Sequence, residues 1–216
     1  MSDNRPMIRR SFLSALTGVG AWLASSQSAP AAQNAAPGAG PKRHPQDDWL
    51  DQASKGHRVI FDCWMSDTMG DTIGFASNWF RVNKDQYGLS DADLAMVIVV
   101  RHGSAPFAFG TGTWAKYGKI LAANMSANDP VAHPIPTTNI HAERLQGLAK
   151  QGMRLAVCNL STRRYAGAIA KETAQEPDAV YKEITASPVG PATFVPAGVV
   201  TVTRAQERGY ALVSIG

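Results

Sequence analysis

Short apolar runs separated by amphipathic stretches dominate the chain from residue 57 onward. The run Leu94–Val100 is apolar at all seven positions, which indicates a strand buried on both faces, as in the middle of a parallel sheet. Shorter runs rich in β-branched residues predict four more strands, at residues 58–61, 153–157, 193–195 and 210–215.

Apolar residues at helical spacing lie between most of these runs. They predict helices at residues 71–83, 139–150, 162–173, 178–186 and 196–208. Strands that alternate with helices favour a parallel sheet covered on both faces. The pattern therefore predicts an α/β domain of three layers, α/β/α, around a five-stranded parallel sheet.

Residues 103–138 interrupt the alternation. They are rich in glycine and contain three prolines between residues 124 and 138. This composition predicts a long irregular loop. A loop of that length in a compact domain is more often functional or interfacial than accidental.

The amino terminus has the pattern of an export signal. Arg9 and Arg10 precede an apolar stretch of about 13 residues, and small residues with Ala-Pro-Ala at 29–31 follow. Residues 1–31 are therefore predicted to be a twin-arginine signal peptide, read by the twin-arginine translocase and removed in the periplasm. An uncleaved membrane tether is the alternative, although the stretch is shorter than the roughly 20 residues that cross a bilayer.

Residues 32–48 are rich in Ala, Pro and Gly and predict a flexible linker, and residues 49–216 predict one domain. Removal of residues 1–31 takes away three Arg and one Asp, so the formal net charge falls from +4 to +2. The rest of the chain has no basic stripe with interleaved aromatics, so no nucleic-acid binding is predicted. No stable membrane insertion is predicted after cleavage.

Cys158 stands where the strand at 153–157 meets the next helix, and it is one of only two cysteines. This edge of a parallel sheet is where α/β proteins bind ligands. The positive end of a helix and nearby Arg side chains favour a thiolate, the reactive form of cysteine. A buried packing residue is the alternative, because free cysteines are among the most buried residues.

Three segments carry a resemblance to a known family. Residues 93–103 end in a His-Gly pair, residues 139–158 end in Cys158, and residues 194–211 contain Pro-Ala-Gly and Glu-Arg-Gly-Tyr. In this order and spacing they resemble the DsrE/DsrF-like family of small α/β proteins linked to sulfur metabolism. The resemblance covers residues 58–215. It implies the strand order 4-3-2-1-5, assembly into homo-oligomers and a persulfide on the cysteine that matches Cys158.

Loops after the first three strands are expected at one edge of the sheet. The predicted catalytic residues there are Cys158 and His102, and the predicted binding residues are Asp62, Cys63, Asn159 and Arg163. His102 suits proton transfer, and fixing the loop through its backbone is the alternative. Cys63 suits packing or a resolving thiol, and Arg163 suits either the thiolate or a solvated helix face.

Strand order decides whether Cys63 and Cys158 can form a disulfide. In the order 4-3-2-1-5 one strand separates theirs, which puts the two backbones about 9.5 Å apart. That exceeds the limit of about 7 Å between bridged Cα atoms. The alternative order, flavodoxin-like 2-1-3-4-5, would make the two strands neighbours and a disulfide feasible.

Neither a metal nor a cofactor is predicted. His102, His133, His141 and Cys158, with Asp62, follow no known spacing of metal ligands. No strand is followed by the G-x-G-x-x-G motif of dinucleotide-binding proteins.

Together these observations predict an exported DsrE-like protein that carries persulfide sulfur on Cys158 and exchanges it with a sulfur donor or acceptor protein. At most it is a sulfurtransferase-like enzyme. The alternative is a non-catalytic ligand-binding or oligomeric assembly module that uses the sheet edge and residues 103–138. The burial of Cys158 is the feature that separates the two.

Overall fold

The computed structural model describes residues 40–51, 56–128 and 137–216. The predicted signal peptide, most of the predicted linker and His133 lie outside these described residues. Within the described ranges, no helix is both long enough and apolar enough to cross a membrane. Residues Pro41–Gly216 form one compact unit.

Five parallel strands form a single sheet. They are β1 (His57–Cys63), β2 (Leu94–Val100), β3 (Arg154–Cys158), β4 (Ala192–Val195) and β5 (Ala211–Ile215). Their order is β4-β3-β2-β1-β5, which confirms the predicted order 4-3-2-1-5 and rules out the flavodoxin-like alternative. The uniformly apolar β2 is the middle strand, and all its residues are buried.

In the ranges that the structure describes, six α-helices and two 3-10 helices accompany the sheet. The α-helices are α1 (Met69–Tyr87), α2 (Thr111–Asn128), α3 (Ala142–Lys150), α4 (Asn159–Thr173), α5 (Pro177–Thr185) and α6 (Gly198–Gln206). Side chains of α1 to α5 share the larger core with one face of the sheet. Those of α6 share the smaller core with the other face. The predicted α/β/α arrangement is therefore confirmed.

The prediction of an irregular loop over residues 103–138 was wrong for most of its length. A 3-10 helix, His102–Ala108, is followed there by α2. Its buried residues Trp114, Tyr117, Leu121 and Met125 recur at helical spacing, a signal that the glycines obscured. Gly118 does not break α2. It lets the backbone of Thr137 cross the helix, since a Cβ at Gly118 would lie 1.8 Å from the Thr137 carbonyl oxygen.

A 3-10 helix before the sheet, Pro45–Leu50, completes the smaller core, and we call it the N-terminal strap. Leu50 is fully buried, and its carbonyl accepts a hydrogen bond of 2.9 Å from the Tyr210 hydroxyl. Arg154 donates to the Trp49 carbonyl at 3.2 Å. The last residues of the predicted linker, 45–48, belong to this packed strap.

Candidate functional site

Asp62 and Cys158 lie on the face of the sheet that α6 covers. Asp62 pairs with Val99 and Cys158 pairs with Val195 across the parallel strands, and both partners belong to the smaller core. Residues paired in this way point to the same face because side chains alternate along each strand. The two predicted site residues therefore share one face at the carboxyl edge.

An ion pair between Asp62 and Arg101 occupies the same edge. Arg101 donates from Nε to Oδ1 at 2.8 Å and from Nη2 to Oδ2 at 2.9 Å. The Asp62 side chain is 8% exposed and that of Arg101 is 26% exposed. The hydrogen bonds to Asp62 raise the pKa of the Arg101 guanidinium above its usual value. This bidentate geometry fixes the plane of the guanidinium.

Gly198 lets the first turn of α6 close over Arg101. A Cβ at Gly198 would lie 3.0 Å from both Cβ and Cδ of Arg101 and 3.0 Å from a methyl group of Val99. A larger residue would push the Arg101 side chain away from its present path. The glycine therefore helps to position the ion pair.

Cys158 is the last residue of β3 and the N-cap of α4. The hydroxyl of Thr162 donates to its carbonyl at 2.9 Å, which fixes the start of the helix. The residue is 6% exposed, and the register of β2 and β3 places it next to Arg101. The candidate site thus consists of one nearly buried thiol, one ion pair and the amino-terminal ends of two helices.

Cys63 lies on the opposite face of the sheet, in the larger core with its strand partner Val100. It is fully buried, and its sulfur lies 3.7 Å from the Met69 sulfur and 3.6 Å from the Met65 carbonyl oxygen. Both cysteines are free. Since β2 separates their strands and their side chains point to opposite faces, no disulfide can join Cys63 and Cys158 without rearrangement of the sheet.

We expect Cys63 to resist alkylation in the native protein. Burial raises the pKa of its thiol above the usual 9.0, so at pH 8 it stays protonated as well as enclosed. Iodoacetamide at pH 8 should therefore label Cys63 only on the time scale of unfolding, and urea should abolish the protection. Peptide mass mapping over a time course measures this, and rapid native labelling of Cys63 would contradict it.

His102 is held in the structure through its backbone. Its φ of 52° lies in the left-handed region, which is uncommon for a residue other than glycine. Its N–H donates to the Ser161 hydroxyl at 2.8 Å, and its carbonyl accepts from the Tyr165 hydroxyl at 3.2 Å and from Arg164 at 3.3 Å. These backbone hydrogen bonds hold the end of β2 against α4. The role of His102 in proton transfer stays a prediction.

Asn159 and Arg163 connect α4 to α5. The Tyr181 hydroxyl donates to Asn159 Oδ1 at 2.6 Å, and the Arg163 guanidinium lies 4.4 Å from the centre of the Tyr181 ring. Arg163 also pairs with Asp178 at 3.2 Å. These contacts direct both side chains toward α5, whereas Cys158 and the ion pair lie on the α6 face.

The histidines and carboxylates do not converge on a metal site in the part of the chain that the structure describes. No group of three His, Cys, Asp or Glu side chains there is arranged to hold an ion. His141 lies edge-on against Phe107, with ring centres 4.8 Å apart. Burial, and then the charge of Arg144, lower the pKa of His141.

Sequence reasoning missed Arg101 and Gly198. The available signal for Arg101 was its position. A charged residue directly after the fully apolar β2 must lie at the carboxyl edge of the sheet. No sequence signal separated Gly198 from the chain's other glycines. Comparison with models of known protein families and with curated protein sequences gives no match to this chain.

Proposed function

We propose that this protein carries sulfur as a persulfide on Cys158. The observation that carries the proposal is the position of Cys158 at the carboxyl edge, as the N-cap of α4 and in register with Arg101 on the neighbouring strand end. A guanidinium and a helix N-terminus both stabilise negative charge on sulfur. The resemblance of three segments to DsrE-like proteins supports the same chemistry.

The transfer step needs no oxidant. After its proton leaves to water, the Cys158 sulfur attacks the outer sulfur of a donor persulfide, R–S–SH. A bond forms between the two sulfurs, the donor's S–S bond breaks, and the donor leaves as the thiolate R–S⁻. Cys158 then holds S–SH, and the reverse step passes this sulfur to an acceptor thiol.

The difference in exposure between the two thiols also favours Cys158 as the reactive one. Cys158 keeps 6% of its surface accessible, whereas Cys63 has none. A small reagent therefore reaches Cys158 first. The proposal also includes export by the twin-arginine translocase to the periplasm, homo-oligomers, and a donor or acceptor of sulfur outside the cytoplasm.

Incubation with a small-molecule persulfide donor should add the mass of one sulfur atom to the intact protein. The adduct should map to the Cys158 peptide, because Cys158 keeps some accessible surface whereas Cys63 has none. Intact-mass spectrometry after trapping with iodoacetamide measures it. Cys158→Ser should lose the adduct and Cys63→Ser should keep it.

An absent adduct, or equal labelling of the Cys158→Ser variant, would refute sulfur transfer through this residue. Release of the sulfur by an added thiol tests the second half of the cycle. A folded Cys63→Ser variant that loses the adduct would assign the chemistry to Cys63, on the opposite face of the sheet, and would contradict the proposal.

A ligand-binding module without sulfur transfer is the second candidate. The low exposure of Cys158 favours it, since a thiol at 6% exposure is also a good packing residue. This candidate was first expected to use residues 103–138 as a binding loop as well. Most of that region is helical, so the candidate now depends on the sheet edge.

A further inference from the structure

The Arg101 side chain uses only one edge of its guanidinium for Asp62. Nε and Nη2 make the two hydrogen bonds, and Nη1 makes none with any residue that the structure describes. The side chain keeps 26% of its surface accessible. A guanidinium carries five N–H donors in a planar fork, so the remaining donors are available to an anion from solvent.

The ion pair is oriented across the sheet. Asp62 lies on β1, Arg101 follows β2 and Cys158 ends β3, and these strands are consecutive neighbours. The register pairs Val100 with Val157, so the backbones of Arg101 and Cys158 are neighbours about 4.8 Å apart. From there the Arg101 side chain reaches toward β1, where it pairs with Asp62. The pair is neutral as a whole, with Arg101 attached to the strand next to that of Cys158 and Asp62 to the strand beyond it.

Two helix ends add to this field. The first turns of α4 and α6 both begin at the carboxyl edge, directly after β3 and shortly after β4. Free backbone N–H groups give such ends a partial positive charge. Gly198 brings the first turn of α6 against Arg101, as its 3.0 Å approach shows. The carboxyl edge on the α6 face therefore holds Arg101 and the first turns of two helices.

We propose that this arrangement selects the sulfur donor: Arg101, held by Asp62, binds the carboxylate of a small anionic persulfide while Cys158 attacks its outer sulfur. The inference rests on the proposed persulfide chemistry. The carboxylate stays on the donor and leaves with its thiolate, so the transfer step is unchanged. A small donor suits the site better than an acidic protein surface, because Cys158 is only 6% exposed.

Reagents of one class that differ in charge test the selectivity, and the comparison that decides is between the negative and the positive reagent, which are similar in size. Three methanethiosulfonates serve as probes. The sulfonatoethyl reagent is negative, the methyl reagent is neutral and the trimethylammonioethyl reagent is positive. Each second-order rate at Cys158 is divided by the rate of the same reagent with 2-mercaptoethanol. The negative reagent should gain about tenfold over the positive one on this scale, and added salt should reduce the gain.

Variants assign the preference to the ion pair. The double variant D62N/R101Q replaces both charges with amides and should reduce the preference to about twofold, the part left by the helix ends. Lys171→Gln is the matched control, since it removes one positive charge from the last turn of α4, and it should keep the preference. Circular dichroism establishes that each variant is folded.

The outcomes distinguish the two proposals. Sulfur transfer to Cys158 without any charge preference in the native protein would overturn the selectivity and leave the sulfur carrier intact. A preference that persists in the folded double variant would overturn the role of Arg101. Failure of Cys158 to react with any of the three reagents or with a persulfide donor would overturn both. The native measurement decides even if the double variant does not fold.

Discussion

Arg101→Gln should lower the free energy of unfolding by about 3 kcal/mol, whereas Asp62→Asn should lower it by about 1 kcal/mol. The asymmetry follows from exposure, because the Asp62 side chain is 8% exposed and that of Arg101 is 26% exposed. Loss of Arg101 leaves a carboxylate without its partner in the protein interior. Loss of the Asp62 charge leaves a guanidinium that still reaches water. Urea unfolding followed by circular dichroism measures both values.

The double variant D62N/R101Q separates charge from packing. It should resemble Asp62→Asn more closely than Arg101→Gln, because no buried charge is left unpaired. Arg163→Gln, whose ion pair with Asp178 is exposed, should change the stability by only about 0.5 kcal/mol. An Asp62→Asn variant as unstable as Arg101→Gln would contradict the assignment of Asp62 as the buried partner.

The layered fold could be predicted because its signals are local. The seven apolar residues of β2 mark a strand buried on both faces, and the alternation of strands with helices fixes the parallel class. The helix α2 escaped prediction for a tertiary reason. Gly118 would count against a helix by propensity, yet it is needed where the backbone of Thr137 crosses it.

The candidate site could be predicted only in part. Position along a strand places Asp62, Cys63 and Cys158 at one edge, whereas the strand register decides which face each side chain takes. That distinction separates Cys63 from the other two. Asn159 and Arg163 follow Cys158 in the sequence, yet the packing of α5 on α4 directs them to Tyr181. Such packing depends on residues far along the chain, so no local pattern reveals it.

The difference between the two cores explains why the ion pair lies on the α6 face. The larger core on the other face is apolar and closed by five helices, and a charge there would lose its solvent without a partner. The smaller core under α6 and the N-terminal strap ends before the carboxyl edge, where Arg101 reaches solvent.

Removal of the N-terminal strap should destabilise the domain by about 4 kcal/mol. A chain that begins at Asp51 lacks Leu50, which is fully buried under α6, and lacks the carbonyl that accepts from the Tyr210 hydroxyl. It keeps the contact of Asp51 with Arg208. A chain that begins at Pro41 contains the whole strap and is the matched control. Thermal and urea unfolding of the two chains measure the difference.

Leu50→Ala in the chain that begins at Pro41 isolates the apolar part of this effect. Truncation of a fully buried leucine should lower the free energy of unfolding by about 3 kcal/mol, because the cavity under α6 cannot collapse completely. The change lies on the α6 side of the sheet, so the protection of Cys63 against alkylation should be affected only through global stability. Equal stability of the two truncated chains would show that α6 alone closes the smaller core.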